Sequence, residues 1–300
     1  MLFCLAGRHT EAPIIPAVEG LPPVVRLVIF DLDGVIYRGG RAIDGAVDLV
    51  ADLKASGVAV RFATNNSTVD RSAYVARLAG LGIRATRDEV VTSTSATIEH
   101  LARHAPEVRR VLAVGERGIA DELIAAGYEA VLAADAVPPD YDGGGLDQGY
   151  DAVVVGLDTA FDYRRLAAAI SAVLAGARFV ATNADLLYPT VEGFLPGAGT
   201  MVAAIAAGSG ARPEVIGKPE PAMFVTALEG SGVPPEEAVV VGDNPDADMV
   251  AAHRAGIASI LVLTGVADAQ RAASLAGDER PSAIATGPRE VRKLLLGPIS

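Results

Sequence analysis

The chain carries a single cysteine, Cys4, among its 300 residues, so no internal disulfide can form and no cysteine-built zinc site is available. That sparing use suits a reducing compartment, and we expect a cytoplasmic protein. Basic residues are also in short supply: 25 Lys and Arg stand against 37 Asp and Glu, a formal net charge of −12. A nucleic-acid backbone or an anionic membrane calls for clustered Lys and Arg, and no such cluster occurs, so both partners are excluded. Long apolar runs are missing too. The longest uncharged stretches, around 166–177 and 195–211, contain glycine and fall short of a bilayer span. The opening apolar residues 1–7 lack a basic leader and are too few for a secretory signal. The four histidines share no spacing with acidic partners. His100 and His104 stand four apart, but no third ligand accompanies them.

What is present points to a folded chain, with 51% hydrophobic and 21% charged residues. The length suits one large domain or two. Short β-branched runs alternate with helical patterns, the signature of a parallel sheet with crossover helices. We expect a strand at 24–30, a helix capped by Asp44 and stopped by Gly57, a strand at 58–63, and a helix striped by Tyr74, Val75, Leu78 and Leu81. The pattern resumes with a short strand at 214–217, a helix opening at Pro219, strands at 238–241 and 258–263, and a last helix at 289–296. Between these halves lies a second α/β pattern, with strands at 111–114, 152–155 and 179–181, a helix at 164–174 and a Gly-rich polar loop at 138–149. The fold class is therefore α/β: a Rossmann-like parallel-sheet core split by an inserted α/β domain. The expected divisions are a loose tail at 1–23, a core of 24–104 plus 213–300, and an insert at 105–212.

Four polar clusters each follow an apolar strand. Asp31 and Asp33 stand in DLDGV, Thr64 and Asn65 in ATNNS, Lys218 in IGKPEP, and Asp243, Asp246 and Asp248 in VGDNPDADM. In an open parallel sheet such positions share one edge, outside the carboxyl ends of the strands, where ligands bind. Carboxylates gathered around one lysine repel each other unless a cation joins them, and hard oxygen ligands favour Mg²⁺. That set suits phosphoryl transfer. Asp31 is the expected nucleophile, forming an aspartyl-phosphate. Asp33 serves as general acid and then general base. Thr64 and the Asn65 backbone donate to phosphate oxygens, and Lys218 supplies fixed positive charge. Each residue alone has a bland reading: an aspartate after a strand is often a turn former or cap, and Thr64 and its neighbours can cap the next helix. Asp246 is read as a helix N-terminal charge, not a ligand.

DLDGV, ATNNS, GKPEP and GDNPDAD, in that order, resemble the four motifs of the haloacid dehalogenase superfamily of phosphatases. The long insert, and the run ATNADLLYPTVEGFLPGAG within it, is similar to the large α/β cap of the p-nitrophenylphosphatase-like branch. The resemblance implies Mg²⁺ held by the Asp31 carboxylate, the Asp33 backbone carbonyl and the Asp243 carboxylate. It makes Asp248 a second acidic group orienting the metal's waters or the lysine. Tyr188 and Asp185, in the region resembling the specificity loop, become candidate leaving-group contacts. It implies a small phosphorylated metabolite as substrate, with phosphoglycolate, glycerol phosphate, pyridoxal phosphate and nucleotide monophosphates all suitable, and a homodimer through the cap. The competing functions are a phosphomutase, a dehalogenase and a silent phosphate-ligand sensor. Asp33 and Asp243 argue against a dehalogenase, which needs neither a metal nor an acid. A receiver domain would place its acidic pair and phospho-acceptor in another strand order.

Overall fold

A computed structural model describes residues 19–137, 149–190 and 193–297. Residues 1–18 of the expected tail, and all of the Gly-rich loop except Gly149, lie outside the described residues. The first part of the chain lays down β1 (Leu27–Asp31), a small ribbon of β2 (Tyr37–Arg38) and β3 (Arg41–Ala42), then β4 (Ala59–Thr64) and β5 (Val90–Thr92). The middle part adds β6 (Arg110–Val114), β7 (Glu129–Leu132), β8 (Ala152–Val155), β9 (Arg178–Ala181), the hairpin β10 (Leu187–Thr190) and β11 (Gly193–Pro196), and β12 (Glu214–Val215). The last part supplies β13 (Ala238–Gly242), β14 (Ala258–Val262) and β15 (Ala283–Ala285).

These strands build two parallel sheets. The first has the order β15-β14-β13-β1-β4-β5, the second β12-β9-β8-β6-β7. In the first, every residue of β1 is buried, because Leu27 and Ile29 enter one apolar layer while Val28 and Phe30 enter the other. The chain builds outward from β1 through β4 and β5, then returns on the opposite side with β13. That reversal makes the crevice beyond the carboxyl ends of β1 and β13 a switch point, the place where such sheets bind ligands. Helix α1 (Ala46–Ala55) packs against β4, and α2 (Arg71–Gly80) and α3 (Ser93–His104) pack against β5. The expected fold class is the observed one.

Two local expectations need correction. Residues 214–217 were to extend the first sheet, but β12 pairs with β9 of the second. Both flanks of β1 are already filled by β13 and β4, which leaves no slot beside it. Asp44 does not cap α1. Gly45, at φ 80°, is the N-cap, and Asp44 pairs instead with Arg289 at 2.7 and 2.8 Å. Gly45 supplies the left-handed turn that a side chain would resist, and a planar guanidinium holds the freed carboxylate in a two-point grip.

The inserted segment is seated directly on the loop that follows β4. Helix α4 (Arg117–Ala125) approaches so closely that a Cβ on Gly118 would lie 2.8 Å from Val69 Cα. One turn later the buried Glu122 carboxylate accepts from the Arg71 backbone N–H at 2.8 Å and from Arg71 Nε at 3.1 Å, and pairs with Arg87 at 3.2 Å. Among the described residues, no helix is long and apolar enough to cross a membrane. Removing the buried carboxylate leaves its donors uncompensated. Glu122→Ala should lower stability by about 2–3 kcal/mol, below the full cost of breaking a buried pair because both arginines reach solvent. The midpoint of urea unfolding checks this, with Glu122→Gln expected to recover part of the loss.

Candidate active site

Asp31 ends β1 with 9% of its surface exposed, and Lys218, after β12, has 3%. The Lys218 Nζ donates to Asp31 Oδ1 and, at 2.7 Å, to Asp248 Oδ1. Asp248 spends its other oxygen on the backbone N–H groups of Asp243 and Asn244, at 3.2 and 3.1 Å. It therefore fixes the lysine and the turn after β13 together. Asp243 Oδ2 accepts from the Val266 N–H at 2.7 Å. Its carboxylate fits between two glycines: a Cβ on either Gly34 or Gly265 would collide with Oδ2. Gly34, at φ 80°, also makes the turn beyond Asp33 that an L side chain would strain.

Asp31, Asp243 and Asp248 each offer a carboxylate oxygen within 4.8 Å of the others, the one such group of three or more metal-type ligands among the described residues. Burial alone lowers the Lys218 ammonium, but Asp248 and Asp31 beside it raise it well above its ordinary value, so it stays charged. Burial raises Asp31, Lys218 opposes that, and Asp248 and Asp243 reinforce it. Asp243 is pushed up to about 7 by burial and then by Asp248. With all three carboxylates ionised beside one ammonium, the group would carry two negative charges in excess. A divalent cation held by hard oxygen donors answers that excess, so the donor set fits Mg²⁺.

The phosphate-binding candidates turn out to have internal duties. Asn65 clamps the Lys218 peptide from both ends, accepting from its N–H at 2.9 Å and donating to its carbonyl at 2.9 Å. The same amide donates to Asp185 at 3.0 Å. The Thr64 hydroxyl oxygen accepts from the Asn66 N–H at 3.2 Å. Contact with a phosphate would fall to the groups these bonds leave open, the Thr64 hydroxyl proton and the backbone of this turn. Asp33 is exposed to the crevice yet ringed by protein, which raises its carboxyl; Arg77, the Tyr37 hydroxyl and Lys218 pull it back down. Tyr188 lies in β10 and packs against the apolar core of the second sheet, lining a cavity of about 390 Å³ with Leu157, Phe161 and Met201. Asp246 pairs with Arg271 at 2.8 Å. His100 faces Glu214 at 2.7 Å.

Two sets of residues escaped the sequence reading. The loop Thr264–Val266 follows β14 at the same sheet edge and holds both Asp243 and Gly34, whose carbonyl accepts from Thr264 Oγ1. The strand-end rule would have found it, but it carries no charged residue. Tyr37, Tyr74 and Arg77 gather beside Asp33 and Thr64 and looked like core and surface positions.

Residues 28–129 match the profile of the haloacid dehalogenase-like hydrolases, and residues 215–290 match a second HAD-hydrolase-like profile. An acid sugar phosphatase of Staphylococcus saprophyticus is 36% identical over 79% of this chain and 86% of its own length. The structure of a 4-nitrophenylphosphatase from Thermotoga maritima superposes with a TM-score of 0.79 at 30% identity, covering 90% of this chain and 97% of that one. The structure of a glycerol phosphate phosphatase from Mycobacterium tuberculosis in complex with magnesium gives a TM-score of 0.80 at 34% identity, over 92% of this chain and 80% of that one. Because Gly265 packs on the Asp243 carboxylate, Gly265→Ala should displace it and weaken divalent-cation affinity by about 10–100-fold. Isothermal titration calorimetry with Mg²⁺ checks this.

Proposed function

This chain belongs to the haloacid dehalogenase-like hydrolases, in their p-nitrophenylphosphatase branch, and we propose on that footing that it hydrolyses phosphate monoesters of small metabolites through an aspartyl-phosphate on Asp31, with Mg²⁺ as cofactor. One observation carries the reading: a buried carboxylate at the end of the central strand touches a buried ammonium, with two further carboxylates closing the group. The relatives named for sugar, glycerol and nitrophenyl phosphates support the substrate class.

In the first step the Asp31 carboxylate attacks phosphorus; its P–O bond forms as the ester P–O bond breaks. Asp33, whose carboxyl is raised, gives its proton to the departing alkoxide. In the second step Asp33 takes a proton from the attacking water, and phosphate leaves with Asp31 restored. Lys218 keeps Asp31 in place and offers fixed positive charge to the transferring group. Asp248 keeps the lysine aimed. The Asn65 backbone meets phosphate oxygens while its side chain secures the Lys218 peptide. Mg²⁺, held by the Asp31 and Asp243 carboxylates and the Asp33 carbonyl, would neutralise charge on phosphate and ligands alike.

Purified protein with Mg²⁺ should release phosphate from p-nitrophenyl phosphate and from a panel of metabolite monoesters, and EDTA should stop it. No release from any member of the panel would end the proposal. Asp31→Asn should reduce turnover to background while circular dichroism stays native, because only charge is removed. Asp33→Asn should let acid-quenched phosphoprotein accumulate, since its hydrolysis loses the base. Equal, mild effects of the two substitutions would refute these roles.

A further inference from the structure

A phosphate ester approaching this chain meets a formal net charge of −12, which repels a dianion at long range. Lys218 cannot offset that field from a distance, because it is 3% exposed and already touches two carboxylates. Exposed positive charge stands instead on the ribbon of β2 and β3. Its register sets Tyr37 opposite Ala42 and Arg38 opposite Arg41, with Gly39 and Gly40 closing the turn. Both arginines are exposed, and among the described residues neither makes an ion pair or a side-chain hydrogen bond. Like charges directly opposite each other weaken a ribbon, so strand pairing gives no reason for this arrangement.

The backbone ties the ribbon to the reaction centre. The Gly34 N–H donates to the Tyr37 carbonyl at 2.9 Å and the Tyr37 N–H to the Leu32 carbonyl at 3.2 Å, which bridges Tyr37 to Asp33. A bridge spans about 5 Å and the next residue adds about 3.8 Å, so the Arg38 Cα lies within roughly 9 Å of the Asp33 Cα. Arg77 of α2 extends the patch. Its Nη1 donates to the Tyr37 hydroxyl at 3.3 Å, and its Cζ lies 5.5 Å from the Tyr37 centroid and 5.8 Å from that of Tyr74. The plain alternative is a pair of solvated charges guarding an open strand edge. A guard works with charge of either sign, whereas attraction of a phosphate needs this one.

We propose that Arg38 and Arg41 capture the substrate electrostatically: they draw its phosphate dianion to the crevice before Asp31 attacks, against the field of the whole chain. This rests on the proposed phosphatase reading. Both arginines act on arrival and not on bond breaking, so their effect belongs in kcat/KM.

Salt dependence separates capture from packing. Rates on p-nitrophenyl phosphate at fixed Mg²⁺ are compared between about 10 and about 150 mM ionic strength. Two charges about 10 Å from a dianion in water should make kcat/KM of the Arg38→Gln/Arg41→Gln variant about sevenfold lower than wild type at the low end and about twofold lower at the high end. The loss should not appear in kcat. Arg38→Lys/Arg41→Lys, which keeps the charge, should restore the wild-type salt slope, and Arg38→Glu/Arg41→Glu should deepen the loss. Equal salt slopes in wild type and the Gln variant, or a loss that the Lys variant does not recover, would overturn the capture role. Phosphate release by the wild type keeps the two claims apart. Release with matching slopes overturns capture alone, whereas no release at any salt ends the phosphatase reading and capture together.

Discussion

One ammonium sits among three buried carboxylates, and the site takes its shape from that imbalance. Lys218 touches Asp31 and Asp248, while Asp243 stands close by and accepts from the Val266 backbone N–H. A lysine removed from water loses strong hydration, and the two carboxylates restore enough to keep it charged. Taking one carboxylate away would strand a buried cation, and taking the lysine away would strand three anions. Mutual dependence of this kind fixes the geometry more firmly than any single bond.

The surrounding chain is arranged to hold that group in register. Asp31 and Asp243 come from neighbouring strands, so the sheet sets their separation. Asp248 reaches back onto the turn that carries Asp243. Lys218 comes from the far end of the inserted segment and needs an anchor on the first sheet, which the Asn65 amide provides. Glycines at 34 and 265 leave room for Asp243 where any larger residue would evict it. Rigid elements thus supply the ligands, and short polar bridges tune them, as a site needing sub-ångström placement requires.

Much of this was legible in the sequence, because a polar cluster at the end of an apolar strand has a fixed place in a parallel sheet. Asp31, Asp243 and the fold class followed from that rule. Lys218 was found for a partly wrong reason: its strand belongs to the second sheet, and two residues of β12 carry no periodicity to reveal which sheet they join. The duties of Asn65 were hidden because its partner peptide is 153 positions away. Arg77 was hidden differently. On an exposed helical face, an arginine reads as solvated until the two rings beneath it are seen.

The position of β12 has a mechanical meaning. Ile216 and Gly217 still hydrogen-bond the Ala181 and Thr182 carbonyls of the second sheet, at 3.0 and 2.8 Å, and Lys218 is the next residue. The seam between the two sheets therefore runs through the peptide that carries the ammonium. A displacement of the insert would bear on that peptide, with Asn65 as the counterhold. An insert borrowed from another protein could be grafted in only if it brought its own returning strand in register, because a splice a few residues early would set the reaction centre adrift.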